Sequence, residues 1–202
     1  AKPSELTPLI AFRATELLHE AGVPMASLQL VLGTGQEIGQ HIVGDSRIAG
    51  VCFTGSTQTA RGIHQAMATN LAPEALLIAE TGGLNAGIID STALPEQAVR
   101  DTVASAFQSA GQRCSALRIL YVQEDIAEDL LEVLFGEMDE LSLSDPRYLS
   151  TDLGPVMSNS AKQKIDEYIS AAKAEGKLLK QLQAPEGGSF VGPAVIEVDG
   201  IG

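Results

Sequence analysis

Cys114 and Glu80 carry the side chains best suited to chemistry, a thiol and a carboxylate 34 positions apart. Cys114 lies in the polar, glycine-marked turn Gly111-Gln112-Arg113-Cys114-Ser115-Ala116. A thiol in such a turn is accessible, and the guanidinium of Arg113 beside it favours the thiolate, the nucleophilic form. Glu80 opens Glu80-Thr81-Gly82-Gly83 and follows the apolar run Ala75–Ala79. There the carboxyl edge of a parallel sheet opens into a crevice that takes ligands, although the same carboxylate also reads as a turn or helix cap. Cys52, between Val51 and Phe53 in an apolar run, reads instead as an inert core thiol.

Two glycine-rich turns offer a second kind of chemistry. Gly33-Thr34-Gly35-Gln36-Glu37-Ile38-Gly39 and Phe53-Thr54-Gly55-Ser56-Thr57 each follow a predicted strand and open a predicted helix. Free backbone amides and the helix dipole make such a turn an anion site, and glycine lets a phosphate come close. The first spells G-x-G-x-x-x-G, one residue longer than the dinucleotide fingerprint. The same turns also occur in α/β proteins without any ligand, and both readings stay open on these residues alone. His19, His41 and His64 stand apart, with no second ligand at helical spacing, so no metal site is expected.

The elements that must position these residues alternate. Apolar spacing predicts helices over 5–20, 36–43, 57–71, 95–110, 126–141 and 162–174, and strands over 28–32, 48–53, 75–79, 86–90, 118–122, 178–182 and 194–198. Pro8 and Pro95 fit the first turns of their helices. Nearly continuous apolar strands alternating with helices predict a parallel sheet covered by helices. The Gly82-Gly83 pair is the candidate domain boundary. The loop 142–158, rich in Pro, Asp and Ser, is expected to wrap a surface. Glu124, Asp125, Glu128, Asp129 and Glu132 read as a helix start and a solvated face.

Composition narrows the partners. With 45% hydrophobic and 19% charged residues, the 202-residue chain is globular and long enough for a true core. Its 26 acidic and 13 basic side chains leave a net charge of −13. That charge argues against nucleic acid or an anionic membrane as the main partner. Two cysteines cannot build a disulfide scaffold, and no apolar run approaches a membrane span, so a soluble, cytoplasmic protein is expected.

Taken in order, Lys2-Pro3-Ser4-Glu5, Gly33-Thr34-Gly35 with Gly39, Phe53-Thr54-Gly55-Ser56, Glu80-Thr81-Gly82-Gly83 and Gly111-Gln112-Arg113-Cys114 resemble the aldehyde dehydrogenase superfamily over essentially the whole chain. The separation of Glu80 and Cys114 is also the usual one there. Glu80–Ala86 and Gln112–Ala116 are most similar to the Δ1-pyrroline-5-carboxylate dehydrogenases, including that domain of the bacterial bifunctional proline utilisation proteins, which join it to a proline dehydrogenase. Leu84 departs from the wider superfamily, where many members carry Lys after the two glycines.

The resemblance implies an aldehyde-dehydrogenase-like α/β fold: a Rossmann-type parallel sheet with helices on both faces, plus part of a second α/β catalytic domain. Residues 1–81 would belong to the NAD-binding domain and 82–202 to the catalytic domain. Cys114 would attack the aldehyde carbon, and Glu80 would be the general base for deacylation. Lys2 and Glu5 would hold the adenosine ribose, Gly35 and Gly39 would line the adenine side, and Phe53, Gly55 and Ser56 would hold the pyrophosphate. Gly82 would lie against the nicotinamide end, and Ser115 would bind the substrate carboxylate.

The implied reaction is the NAD-dependent oxidation of L-glutamate γ-semialdehyde, formed from Δ1-pyrroline-5-carboxylate in proline catabolism, to L-glutamate. Glu5 would repel the 2′-phosphate of NADP. FAD would serve only the proline dehydrogenase part of a bifunctional, homo-oligomeric parent. The family's oxyanion Asn, its Glu-x-Phe motif, its glycine-rich loop for the amino acid end and its oligomerisation strand have no match here. The chain, starting at Ala1 and stopping at Asp199-Gly200-Ile201-Gly202, therefore reads as the middle of a dehydrogenase, with little turnover expected of it alone. The alternatives are a dehydrogenase for another semialdehyde, such as succinate semialdehyde, and a silent nucleotide-binding scaffold. A scaffold has no need of both Cys114 and Glu80. A cysteine hydrolase would want a His base, and none of the three His has a comparable motif context.

Overall fold

A parallel strand pair cannot close through a tight turn and needs a crossover, usually a helix. That rule organises the computed structural model, which describes residues 1–200; Ile201 and Gly202, with which the chain stops, lie outside the described residues. The chain divides into two compact units, Ala1–Gly82 and Gly83–Gly202.

In the first unit, β1 (Gly50–Gly55) and β2 (Leu76–Thr81) pair in parallel, with Phe53 opposite Ala79, Thr54 opposite Glu80 and Gly55 opposite Thr81. The crossover α3 (Thr57–Asn70) packs on both strands. It begins where Ser56 Oγ accepts from the Thr59 amide at 3.1 Å, the bond that serine is favoured to make at a helix start. Strand alternation puts Val51 and Phe53 on a half-buried face and Cys52 on an exposed one. The expectation of a core thiol at Cys52 is thereby corrected.

Two further expectations change in this unit. Leu28–Leu32 is extended chain rather than a ladder strand. Its backbone partner is Ala1, whose amino group donates to Gln29 O at 2.7 Å and whose carbonyl accepts from Val31 N at 2.9 Å. The helix expected over 36–43 divides into a wide π-helical turn, Gly35–Gly39, and a short α2, Gln40–Val43. The earlier α1 (Pro8–Glu20), with Pro8 in its first turn, buries none of its residues; Leu9 is 83% exposed.

The second unit repeats the crossover. β3 (Asn85–Ile89) and β4 (Leu117–Val122) pair in parallel through α4 (Pro95–Phe107). Val99 and Val103 on α4, and Leu130, Leu134 and Met138 on α5 (Ala127–Asp139), recur at four-residue spacing and pack together with Ile89. This is the main core. α6 (Asn159–Ala174), started by Ser158 Oγ on the Ala161 amide at 3.1 Å, packs on an antiparallel pair, β5 (Leu178–Gln181) and β6 (Ala194–Ile196). Lys180 on β5 reaches Asp139 of α5 at 2.7 Å and lies 5.5 Å from the Phe135 ring centroid.

The loop expected over 142–158 is closed by its own bonds. The Ser144 amide donates to Leu153 O at 3.1 Å and the Asp152 amide to Ser142 O at 3.0 Å, while Leu153 and Val156 are buried. Within it, hydrogen bonds from the Arg147 side chain and amide hold the Asp145 carboxyl down at about 2. Among the described residues no helix is long and apolar enough to cross a membrane.

Removing the Leu130 side chain, 2% exposed within the core, is expected to cost the second unit about 2–5 kcal/mol. Val133→Ala on the outer face of α5, at 40% exposure, should cost under about 1 kcal/mol. Urea titration of the 202-residue chain measures both, and equal losses would place the core elsewhere.

Candidate active site

The first unit gathers one set of residues at the carboxyl edge of its strand pair. β1 ends at Gly55, and Ser56 starts α3 with that helix's unbonded amides facing the edge. The Phe53 ring folds against Gly55, where any Cβ would meet the ring. Glu80 sits opposite Thr54 in the register, so its carboxylate belongs to the same edge as Phe53, Gly55 and Ser56. Glu80 is the fifth residue of β2 rather than a cap beyond it, because the ladder runs on to Thr81. Gly82 follows, exposed, with open space around its Cα.

Gly35 and Gly39 bound the wide turn after residue 34. Thr34 Oγ1 accepts from the Glu37 amide at 3.1 Å and donates to the Glu37 carboxylate at 3.0 Å, a reciprocal arrangement at a helix start. Gly33, at φ 153°, stands where a Cβ would collide with Ile38, so this approach requires glycine. Near the chain start, Lys2 pairs with Glu5 at 3.7 Å and also donates to Pro3 O at 2.8 Å. The donors at the 53–56 edge are backbone amides and a hydroxyl, a set suited to a phosphate group; Lys2 and Glu5 can serve sugar hydroxyls.

The second unit holds Cys114. After α4 the chain enters three consecutive left-handed residues: Ser109 at φ 58°, Ala110 at φ 53° and Gly111 at φ 66°. For residues other than glycine this conformation costs about 1–3 kcal/mol and persists only when the surroundings impose it. The helix expected to continue to residue 110 therefore stops at Phe107. The surroundings are specific. Arg118 Nη2 donates to Gly111 O at 2.6 Å. Gln112 donates from Nε2 to Ser109 O at 3.1 Å, and its Oε1 accepts the Met157 amide at 2.7 Å, joining this turn to the 142–158 loop.

Next comes a turn closed by the Ala116 amide on Arg113 O at 3.2 Å. Asn85 Nδ2 donates to Cys114 O at 2.7 Å and to Ala116 O at 3.0 Å. Cys114 and Ser115 are exposed at the tip of the turn, and Ala116 is fully buried at its base. The Arg113 guanidinium, next in sequence to Cys114, donates to Ala104 O at 3.2 Å and ties the turn to α4.

Glu80 lies in the first unit and Cys114 in the second. Among the described residues no group of three His, Cys, Asp or Glu is placed to hold a metal. Sequence reasoning missed Asn85, Gln112 and Arg118 as supports of the cysteine turn. Asn85 and Gln112 both lie inside the quoted motifs, but residue type alone does not say that a side chain bonds backbone 29 positions away.

A Cβ at position 111 would stand 2.9 Å from Ala106 O and 3.1 Å from Arg118 Nη1. Gly111→Ala should therefore destabilise the second unit by about 1–3 kcal/mol. Ala110→Gly, which relieves a left-handed alanine, should raise stability by up to about 1 kcal/mol. Equilibrium denaturation checks both signs, and a destabilising Ala110→Gly would speak against the left-handed turn.

Comparison with known proteins identifies the family. The model of the aldehyde dehydrogenase family matches residues 1–199. The chain is 46% identical over 210 aligned positions to the bifunctional protein PutA of Klebsiella aerogenes, covering 98% of this chain and 16% of that protein. It is 35% identical to the 1-pyrroline-5-carboxylate dehydrogenase of Geobacillus kaustophilus, covering 96% of this chain and 38% of that one. Among solved structures it superposes on proline utilization A of Bradyrhizobium japonicum with a TM-score of 0.92 at 51% identity, covering 97% of this chain and 20% of that one. It also superposes on betaine aldehyde dehydrogenase of Staphylococcus aureus in complex with NAD+, with a TM-score of 0.88 at 33% identity, covering 96% of this chain and 39% of that one. The chain belongs to the aldehyde dehydrogenase family.

Proposed function

We propose that this chain supplies the nucleophile, the general base and much of the dinucleotide site of an enzyme oxidising L-glutamate γ-semialdehyde to L-glutamate. The observation that supports it most is the exposed Cys114 on a turn held entirely by backbone and side-chain bonds that leave the sulfur unengaged. The similarity to PutA and to 1-pyrroline-5-carboxylate dehydrogenase supports the substrate.

In this reading the Cys114 thiolate forms the S–C bond to the aldehyde carbon, and the carbonyl π pair moves to oxygen, giving a thiohemiacetal. The Cys114 amide, for which no backbone acceptor stands among the described residues, is available to that oxygen. NAD held at Phe53, Gly55 and Ser56 would supply the acceptor for the hydride that this carbon loses as it becomes the thioester of Cys114. Glu80 then takes a proton from water, whose oxygen adds to the thioester carbon; the C–S bond breaks and Cys114 returns as thiolate.

Phe53, Gly55 and Ser56 would hold the pyrophosphate at the start of α3, with Gly35 and Gly39 on the adenine side and Gly82 toward the nicotinamide. Lys2 and Glu5 would take the ribose, where the Glu5 carboxylate disfavours a 2′-phosphate and so selects NAD over NADP. Ser115 would donate to the substrate carboxylate. Residues 1–81 serve the cofactor in this reading and residues 82–202 the substrate.

The test uses the natural polypeptide that carries this sequence, at its full encoded length. Cys114→Ala should reduce NAD reduction with glutamate semialdehyde by about 10³-fold or more. Glu80→Gln should reduce it by about 10²-fold, with thioester accumulating. An unchanged rate in Cys114→Ala removes the mechanism. Succinate semialdehyde, which lacks the α-amino group, should have a lower kcat/KM than glutamate semialdehyde; the reverse order favours the other semialdehyde class. The 202 residues alone, at 38% of the Geobacillus enzyme's length, should show little or no turnover.

A further inference from the structure

The turn that carries Cys114 is held by a side chain whose placement depends on an irregularity in the sheet. Asn85 is the first residue of β3, paired with Leu117, but the next pair is Ala86 with Ile119. The register therefore slips past Arg118, and β4 carries one extra residue at this point. Such a bulge re-aims the side chains beside it and is found next to functional sites. Here the two flanking side chains both turn to the loop before β4: Arg118 to Gly111 O at 2.6 Å, and Asn85 to Cys114 O and Ala116 O at 2.7 and 3.0 Å.

Both partners of Asn85 are carbonyls, so its amide must present nitrogen, and both of its N–H donors are spent on one turn. Since the Ala116 amide also closes on Arg113 O, the peptide planes on the carboxyl side of Cys114 are fixed without any bond to its sulfur.

We propose that Asn85 is a positioning residue for Cys114, anchoring the carbonyls of residues 114 and 116 so that the thiol is presented in one orientation from an otherwise exposed turn. The assignment rests on the reading of Cys114 as nucleophile. Donation to two carbonyls two residues apart is a job that neither an alanine nor an ionised aspartate can do, and aspartate keeps the shape of asparagine. A nucleophile displaced by an ångström loses reaction rate while binding elsewhere is untouched.

Two measurements test it. In the natural full-length polypeptide, Asn85→Ala and Asn85→Asp should each lower kcat for the aldehyde by about 10- to 100-fold, with KM for NAD changed less than about twofold. Wild-type kcat in Asn85→Asp overturns the proposal, as does a rise in KM for NAD that accounts for the whole loss. Cys114→Ala is measured beside them. If it keeps the wild-type rate, the nucleophile reading falls; if it is inactive while both Asn85 variants match wild type, only the role of Asn85 falls.

The second measurement needs no substitution and stands if the variants do not fold. In the unmutated natural full-length polypeptide, the Asn85 side-chain amide protons should exchange with solvent at least about tenfold more slowly than those of an exposed asparagine, because each is held by a carbonyl. Exchange at the exposed rate overturns the proposal.

Discussion

Parallel strand pairing is the constraint on which this molecule turns. Two parallel neighbours leave their connection at opposite ends of the pair, so the chain must cross back through a helix. Both units obey it, with α3 between β1 and β2 and α4 between β3 and β4. The crossover also decides where the candidate site residues fall. Leaving β1 at Gly55 puts the start of α3 at the carboxyl edge, and the return along β2 brings Glu80 to the same edge. In the second unit, entering β4 from α4 puts the cysteine turn at the amino edge, level with the first residue of β3.

That second placement carries an energetic cost in the backbone. Ser109 and Ala110 are held left-handed without the freedom glycine has, at about 1–3 kcal/mol each. The bonds from Arg118, Gln112 and Asn85 offset the strain, each net hydrogen bond contributing about 0.5–1.5 kcal/mol. They also reach three different elements: β4, the 142–158 loop and β3. A turn tied at three points keeps one conformation although its tip is solvated. The packed core of α4 and α5 against Ile89 gives these anchors a rigid base.

Legibility in the sequence followed the range of the interaction. Helix positions were readable from three- and four-residue spacing, and the Pro8 and Pro95 starts match the observed first turns. The β1 and β2 strands were readable as apolar runs but lay two or so residues further along than expected, because the ladder register, and not composition, sets where a strand ends. Leu28–Leu32 has the apolar character of a strand and no ladder neighbour among the described residues beyond Ala1. The type of Arg113 marks a cation next to Cys114, but only the fold shows that its side chain reaches back nine residues to Ala104 O.

By itself the sequence determined the family, the alternation of most strands and helices, and which thiol and carboxylate are the candidates for chemistry, since these depend on residue type and local spacing. It also determined the acidic surface, which is a sum over side chains. Only the tertiary structure decided that Glu80 stands across from Thr54, that Cys52 faces outward, and that Asn85 reaches the carbonyl of Cys114 across 29 residues. Register, bulges and left-handed turns arise from steric fit and hydrogen-bond saturation between segments far apart in the chain, and no local pattern of residues encodes them.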